Sequence, residues 1–261
     1  MRSKRFFSEN KILKKPETYL EWRKYGEEFL EEKMIRDAGT DAGLLMEFVS
    51  GMDRNRWFME RGGIMPAGEA ERYEKLLRKR ADHVPLQHLM GGAWFYGRFF
   101  KVNEHVLVPR MDTEVLVEEA LRYLKQDMKV LDMCTGSGCI LLTVMKESGC
   151  RGTGCDISPE ALKTAGENAE ALGLEPVFIR GDLFENISGK FDVILSNPPY
   201  IRTSVIGTLD KEVREHEPVI ALDGGGDGLY FYRRIIEQAG SYLNKNGRIF
   251  FETGYDQGRQ V

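Results

Sequence analysis

The chain has 261 residues, 42% of them hydrophobic, with 37 Lys and Arg against 41 Asp and Glu for a net charge of −4. That length suits one large domain or two modest ones with a sizeable core. The mixed charge excludes a broadly basic nucleic-acid-binding surface and leaves only local basic spots, Arg2–Arg5 and Lys11–Lys15, which read as a solvated start. The start, Met1 to Leu13, is basic and then polar, unlike a signal peptide, and no apolar stretch is long enough to span a membrane. Cys134, Cys139, Cys150 and Cys155 lack the paired C-x-x-C spacing of a zinc site, so no metal is expected. A reduced, cytoplasmic setting follows, with the thiols as small buried hydrophobes.

In chain order, helices come first. Trp22, Tyr25, Phe29 and Leu30 share one side of a helical wheel, and Met34 continues the stripe. Leu44, Leu45, Phe48 and Val49 form a second patch ended by Gly51, and Ala70, Tyr73, Leu76 and Leu77 a third. Residues 1–92 are therefore predicted to be a small helical bundle.

The character then changes. Ala93–Val102 is aromatic and broken by Gly97, as in a short hairpin, and Val106-Leu107-Val108-Pro109 reads as a strand or extended linker. From Met128 onward, short apolar strands alternate with helical stretches: Lys129–Met133, Gly152–Asp156, Pro176–Arg180, Phe191–Ser196 and Arg248–Glu252. Pro159–Leu172 reads as a helix with Ser158 as N-cap and Pro159 at its first position. Such alternation predicts a mainly parallel sheet covered on both faces.

The first of these strands runs into Asp132-Met133-Cys134-Thr135-Gly136-Ser137-Gly138, followed by the apolar Ile140-Leu141-Leu142. Gly136 and Gly138 can adopt backbone angles closed to other residues and let a ligand approach the main chain. The next helix would offer free N–H groups to a carboxylate or phosphate. Asp156, at the end of the next strand, can accept both ribose hydroxyls of a nucleoside. A NAD site would prefer a third glycine where Leu141 stands, so the pattern favours S-adenosylmethionine over NAD; a plain strand-turn-helix is the remaining alternative.

Asn197-Pro198-Pro199-Tyr200 follows the strand Phe191–Ser196 and should line the same crevice, beyond the carboxyl ends of parallel strands. An amide or aromatic NH2 is a poor nucleophile because its lone pair is delocalised. The Asn197 side-chain oxygen and the Pro198 carbonyl can accept both N–H groups and turn the lone-pair face toward a methyl donor. Two prolines stiffen the loop, and Tyr200 offers a flat face to a planar group. A methylated amide cation loses its proton readily, so no ionisable catalyst is assigned, in keeping with the lack of a His or Glu beside the motif. The bland alternative is a rigid turn.

These residues together resemble the class I S-adenosylmethionine-dependent methyltransferases that modify amide or exocyclic amino nitrogens. The closest likeness is to the HemK/PrmC family, the peptide chain release factor N(5)-glutamine methyltransferases. It extends from about Asp41 onward, through Pro85-Leu86-Gln87-His88, Phe95-Tyr96-Gly97, Val106–Arg110, Thr113-Glu114, Glu217-Pro218, Asp227-Gly228-Leu229, Glu252–Tyr255 and Gln257. The resemblance implies a Rossmann-like methyltransferase domain over residues 110–261, preceded by a helical substrate-docking domain (1–92) and a β-hairpin linker (93–109). It implies that Cys134, Thr135, Gly136, Ser137 and Gly138 contact S-adenosylmethionine, Asp156 its ribose, and Asp182 and Leu183 its adenine. Asn197 would touch cofactor and substrate, and Asn197, Pro198, Pro199 and Tyr200 would hold the glutamine amide, with Asn197, Pro198 and Tyr200 carrying the chemistry. The substrate would be the Gly-Gly-Gln loop of bacterial class I release factors, with no membrane and no stable nucleic-acid partner.

Two departures stand out. The usual Arg-Pro-Glu-Thr-Glu is Arg110-Met111-Asp112-Thr113-Glu114 here; Thr113-Glu114 favours the release-factor branch over the relative acting on a ribosomal-protein glutamine. The class I fold also normally adds a helix and an antiparallel strand pair after its fifth strand, so either the sequence is incomplete or the sheet has an uncovered edge, and truncation is the expectation. The competing readings are methylation of an amino group of a nucleic-acid base, and a binding protein that has lost catalysis.

Overall fold

The computed structural model describes residues 15–261, so Arg2–Arg5 and most of the basic start lie outside it. The chain divides into two compact units, residues 1–82 and 83–261.

The first unit is helical: α1 (Tyr19–Glu32), α2 (Ala38–Ser50), α3 (Arg54–Glu60) and α4 (Ala67–Ala81). Thr18 opens α1 with a reciprocal capping box, its hydroxyl accepting from Glu21 N while the Glu21 carboxylate accepts from Thr18 N. Gly51 closes α2 in the left-handed conformation. Trp22, Leu30, Leu45, Val49, Tyr73 and Leu77 fill the core predicted from the three stripes, joined by Met46, whereas Met34 is exposed past the end of α1. Two polar links run through it. The Tyr73 hydroxyl donates to the Ala42 carbonyl at 2.9 Å, and Arg80 Nε donates to Asp41 Oδ2 at 2.7 Å, both side chains buried.

The second unit begins with the short α5 (Leu86–Met90), ahead of residue 93, so the compact division precedes the hairpin. Strands β1 (Gly92–Phe95) and β2 (Arg98–Lys101) pair antiparallel around Tyr96 and Gly97, both at positive φ, the geometry of a two-residue hairpin turn. Residues 106–109 carry no strand; of the two options they take the extended linker.

Five strands form one parallel sheet: β3 (Lys129–Met133), β4 (Arg151–Asp156), β5 (Val177–Arg180), β6 (Phe191–Ser196) and β7 (Leu243–Phe251), in the order β5-β4-β3-β6-β7. Helices α6 (Thr113–Leu121), α7 (Cys139–Ser148) and α8 (Pro159–Leu172) lie between early strands, and α9 (Thr203–Ile206), α10 (Lys211–His216) and α11 (Tyr230–Ala239) between β6 and β7. Ser158 caps α8 as expected, accepting from Ala161 N at 3.1 Å. The sheet buries Val130, Val193 and Leu195 with α6 and α7 in one cluster, and Leu131, Met133 and Ile194 with Ile235 and Ala239 of α11 in another. Alternate strand residues thus face opposite cores, as a sheet covered on both faces requires. Strand β7 begins five residues earlier than the apolar run suggests, because Leu243 pairs with Phe191 ahead of a register shift.

Candidate active site

The strand order places the end of β3 between β4 and β6, so the turns after these three strands meet at one rim. A cleft of about 1020 Å³, its open mouth included, lies there. Cys134, Thr135, Gly136, Ser137, Asp156, Asp182, Leu183, Asn197 and Pro199, all expected site residues, line it.

The turn after β3 is built on unusual backbone. Cys134 (φ 59°), Gly136 (55°) and Gly138 (78°) all occupy the left-handed region, as does Leu183 (54°) across the cleft. Only glycine enters that region freely, so Cys134 and Leu183 hold local strain imposed by the fold. A Cβ on Gly136 would meet nothing within 4 Å, so the backbone there borders open space. Gly138 is not part of the wall; it starts α7, and a Cβ on it would press Ala165 and Leu142 at 3.2 Å. Its place is helix packing beneath the turn. Buried Asn168 of α8 steadies the same turn from below, donating to the Ser137 carbonyl at 2.9 Å.

Asp156 accepts from Gly136 N at 2.9 Å and Ser158 N at 3.0 Å, which orients its carboxylate toward the cleft. Burial pushes its pKa above the ordinary value, opposed by those N–H donors. Asp132, beneath the turn, is fully buried: Oδ2 accepts from Thr135 Oγ1 at 2.6 Å and Oδ1 has no partner. Burial drives its carboxyl up to about 7. Asp182 is held by Arg234 of α11 through two hydrogen bonds of 3.0 and 2.9 Å.

The Asn197–Tyr200 loop is fixed from three sides. Ser196 Oγ donates to the Met133 carbonyl, tying the end of β6 to β3. Asn197 Nδ2 donates to Thr113 Oγ1 at 3.4 Å, so its oxygen faces the other way. Pro198 is buried behind the wall formed by Pro199 and Asn197. Tyr200 is half-buried outside the lining residues; its hydroxyl donates to Glu252 Oε1 at 3.3 Å, and its carbonyl accepts from Gln257 Nε2 at 3.0 Å.

Several contributors escape a reading along the chain. Arg110, Pro109 and Thr113 enter from the segment before and at the start of α6, and Pro218, Ile220 and Ala221 from the connection after α10. Arg110 grips buried Glu217 through both carboxylate oxygens, at 2.7 and 2.8 Å, joining these two walls. A carboxyl does stand beside the loop, in contrast to the expectation from sequence: Glu252, which follows β7, is brought there by the β6–β7 pairing. Signals for both were present in the runs Val106–Arg110 and Glu252–Tyr255, but only as family likeness.

Comparisons with known proteins give the family. Residues 21–91 match the family described as PrmC N-terminal domain, and residues 110–212 the methyltransferase small domain. A release factor glutamine methyltransferase of Agrobacterium fabrum is 41% identical over 87% of this chain and 82% of its own length. One from Geobacter sulfurreducens is 40% identical over 89% of this chain and 83% of its own length. Among solved structures, a methyltransferase from Pyrococcus furiosus is 20% identical, covering 62% of this chain and 73% of its own, with a TM-score of 0.49. On identity of this extent and both matched domains, the chain belongs to the release factor glutamine methyltransferase family and is an S-adenosylmethionine-dependent methyltransferase.

Proposed function

We propose that the chain methylates the side-chain amide nitrogen of the glutamine in the Gly-Gly-Gln loop of bacterial class I peptide chain release factors. The observation that carries this reading is the Asn197 amide, held through Nδ2 by Thr113 so that its oxygen is available at the cleft wall. The names of its relatives, release factor glutamine methyltransferases, supply the substrate class.

The residues present fit the donor. Open space beside Gly136, a carboxylate at Asp156 oriented by two backbone N–H groups, and apolar Leu183, Ile157 and Phe231 suit a nucleoside with a polar tail. When bound, S-adenosylmethionine supplies a sulfonium-activated methyl group. Asn197 Oδ1 and the Pro198 carbonyl accept the two N–H groups of the glutamine amide and hold its nitrogen with one face toward the donor. Tyr200, outside the cleft lining, braces this loop through Glu252 and Gln257. Positioning then carries most of the rate enhancement, since in-line displacement is sensitive to alignment. No strong base is required: the methylated amide is acidic enough to give its proton to water.

Such a reaction belongs in the cytoplasm, where bacterial release factors act; among the described residues no helix is long and apolar enough to cross a membrane. Residues before the hairpin would serve in docking the release factor.

The test is incubation with labelled S-adenosylmethionine and a release factor. Label should enter the wild-type factor and spare one whose loop Gln is replaced by Ala. Equal labelling of both would overturn the proposal.

A further inference from the structure

An asparagine amide is nearly symmetrical in shape, yet only its oxygen can accept from an incoming NH2 group. Something must decide which end faces the acceptor. Around Asn197 that decision falls to two groups from distant parts of the chain. Thr113, at the start of α6, is buried and takes the Asn197 Nδ2 hydrogen bond. Glu252, just past β7, lies behind both, with Tyr200 donating to its Oε1 and its Oε2 buried without an aligned partner. Thr113, Tyr200 and Asn197 all stand close enough to favour its charged form.

We infer that Glu252 is a positioning residue that, with Thr113, locks the Asn197 amide with its oxygen toward the acceptor. This rests on the reading of the site as a glutamine methyltransferase centre. Every hydrogen-bonding group turned toward Glu252 is then a donor. Turning the amide over would aim the Asn197 oxygen at a buried carboxylate and leave a donor pointing at the substrate N–H groups, so the charge makes one orientation much the better. A glutamine at 252 loses this sense of direction, because its own amide can donate or accept.

Titration provides the signature. Glu252 is pushed above its ordinary value mainly by burial, with Asp112 adding to the rise and the hydrogen bonds from Thr113, Tyr200 and Asn197 opposing it. The other titratable neighbours are Tyr200 and Tyr232, both raised, and Cys139, whose thiol is pushed up to about 12; none titrates between pH 5 and 8. The active form is the carboxylate, so turnover is lost as pH falls through the Glu252 pKa.

The experiment measures methylation of a release factor by the full chain from pH 5 to 8, with donor affinity by calorimetry and stability by urea titration. In Glu252→Gln, kcat should fall roughly 10- to 100-fold, as for loss of alignment at a reacting centre. Donor Kd should stay within about threefold of wild type, a tolerance well under the tenfold that corresponds to about 1.4 kcal/mol, and the acid limb should shrink, leaving only what Asp132 beneath the glycine turn contributes. Glu252→Asp should recover part of kcat and keep the limb. Thr113→Val, which preserves shape and leaves Glu252 in place, should lower kcat in the same direction, and serves if Glu252→Gln does not fold. A Glu252→Gln enzyme with unchanged kcat and an intact acid limb would overturn the inference, as would parallel loss of kcat and donor affinity. Full activity in Thr113→Val would do the same. A wild-type chain that labels no glutamine would instead overturn the functional reading on which the inference rests.

Discussion

Gly228 offers a sharp test of how the loop holding Asn197 is braced. It sits at φ 77°, where a Cβ would lie 2.4 Å from the Tyr200 carbonyl oxygen and 2.5 Å from Gln257 Nε2. Gln257 is buried, and its Nε2 donates to the carbonyls of Tyr200 at 3.0 Å and Gly228 at 3.3 Å, so Gly228→Ala drives a methyl into the centre of that junction. The left-handed backbone alone costs an alanine about 1–2 kcal/mol. The glutamine amide can swing aside, but doing so strands a buried donor, at about 1–3 kcal/mol. The Tyr200 carbonyl is main chain, so any remaining overlap shifts the loop itself. The sum, about 2–5 kcal/mol, is a large part of the roughly 5–15 kcal/mol that holds a domain together. Urea titration of wild type and Gly228→Ala, beside initial rates with labelled donor, gives both quantities. Gln257→Ala removes the hydrogen bonds without the clash and should show only part of the loss. A Gly228→Ala protein within about 0.5 kcal/mol of wild type, the usual range for an inconsequential surface change, and with unchanged kcat would refute the account.

Asn197→Ala should lower kcat about 10²- to 10³-fold, the usual effect of deleting one positioned hydrogen-bonding group, with a much smaller change in donor Kd measured by calorimetry. Burial holds the Asp132 carboxyl near 7 against an ordinary 3.8, so the folded chain retains a proton there that the unfolded chain releases. Its contribution to stability therefore falls as pH rises between those values and levels off above them. Asp132→Asn should flatten that slope when urea midpoints at pH 5 and pH 8 are compared. In the first unit, Asp41→Ala removes one partner of a buried ion pair and should destabilise by about 3–5 kcal/mol, read by urea titration. Removing residues 1–82 should raise KM for the release factor more than it weakens donor binding; parallel loss of both would show that the first unit is needed for the fold alone.

What sequence reveals here depends on how local the cause is. The hairpin was legible because Gly97 breaks an aromatic run, and the cap of α8 because Ser158-Pro159 satisfies it within one turn; the positive φ of Tyr96 was not legible. The central strands were legible as apolar runs with turns at both ends. The first half of β7 was not: Leu243-Asn-Lys-Asn-Gly reads as a turn, Asn246 indeed has φ 67°, and only pairing with Phe191 makes it strand. Helix α3 was missed because its seven residues bury only Trp57 and show no stripe. At the site, the glycine turn, Asp156 and Asn197–Tyr200 each announce themselves at the end of a strand. Arg110, Thr113, Glu217 and Glu252 do not, because each acts through a partner more than 50 positions away. Gly138, expected in the cofactor turn, also caps α7 and packs against Ala165 of α8, a contact its neighbours in sequence do not announce.

The strand order also sets when, during synthesis, a working cleft can exist. Strands β3, β4 and β5 pair with their sequence neighbours and can assemble as the chain emerges. β6 must then insert on the free side of β3, and β7 beyond β6, closing loops of tens of residues before any contact rewards them. The Asn197 loop has its last supports only when Glu252 and Gln257 arrive. A nascent chain halted before Gln257 would thus hold the glycine turn and Asp156 in place yet lack a braced acceptor loop. Donor recognition should therefore precede catalytic competence as the strands assemble in this order.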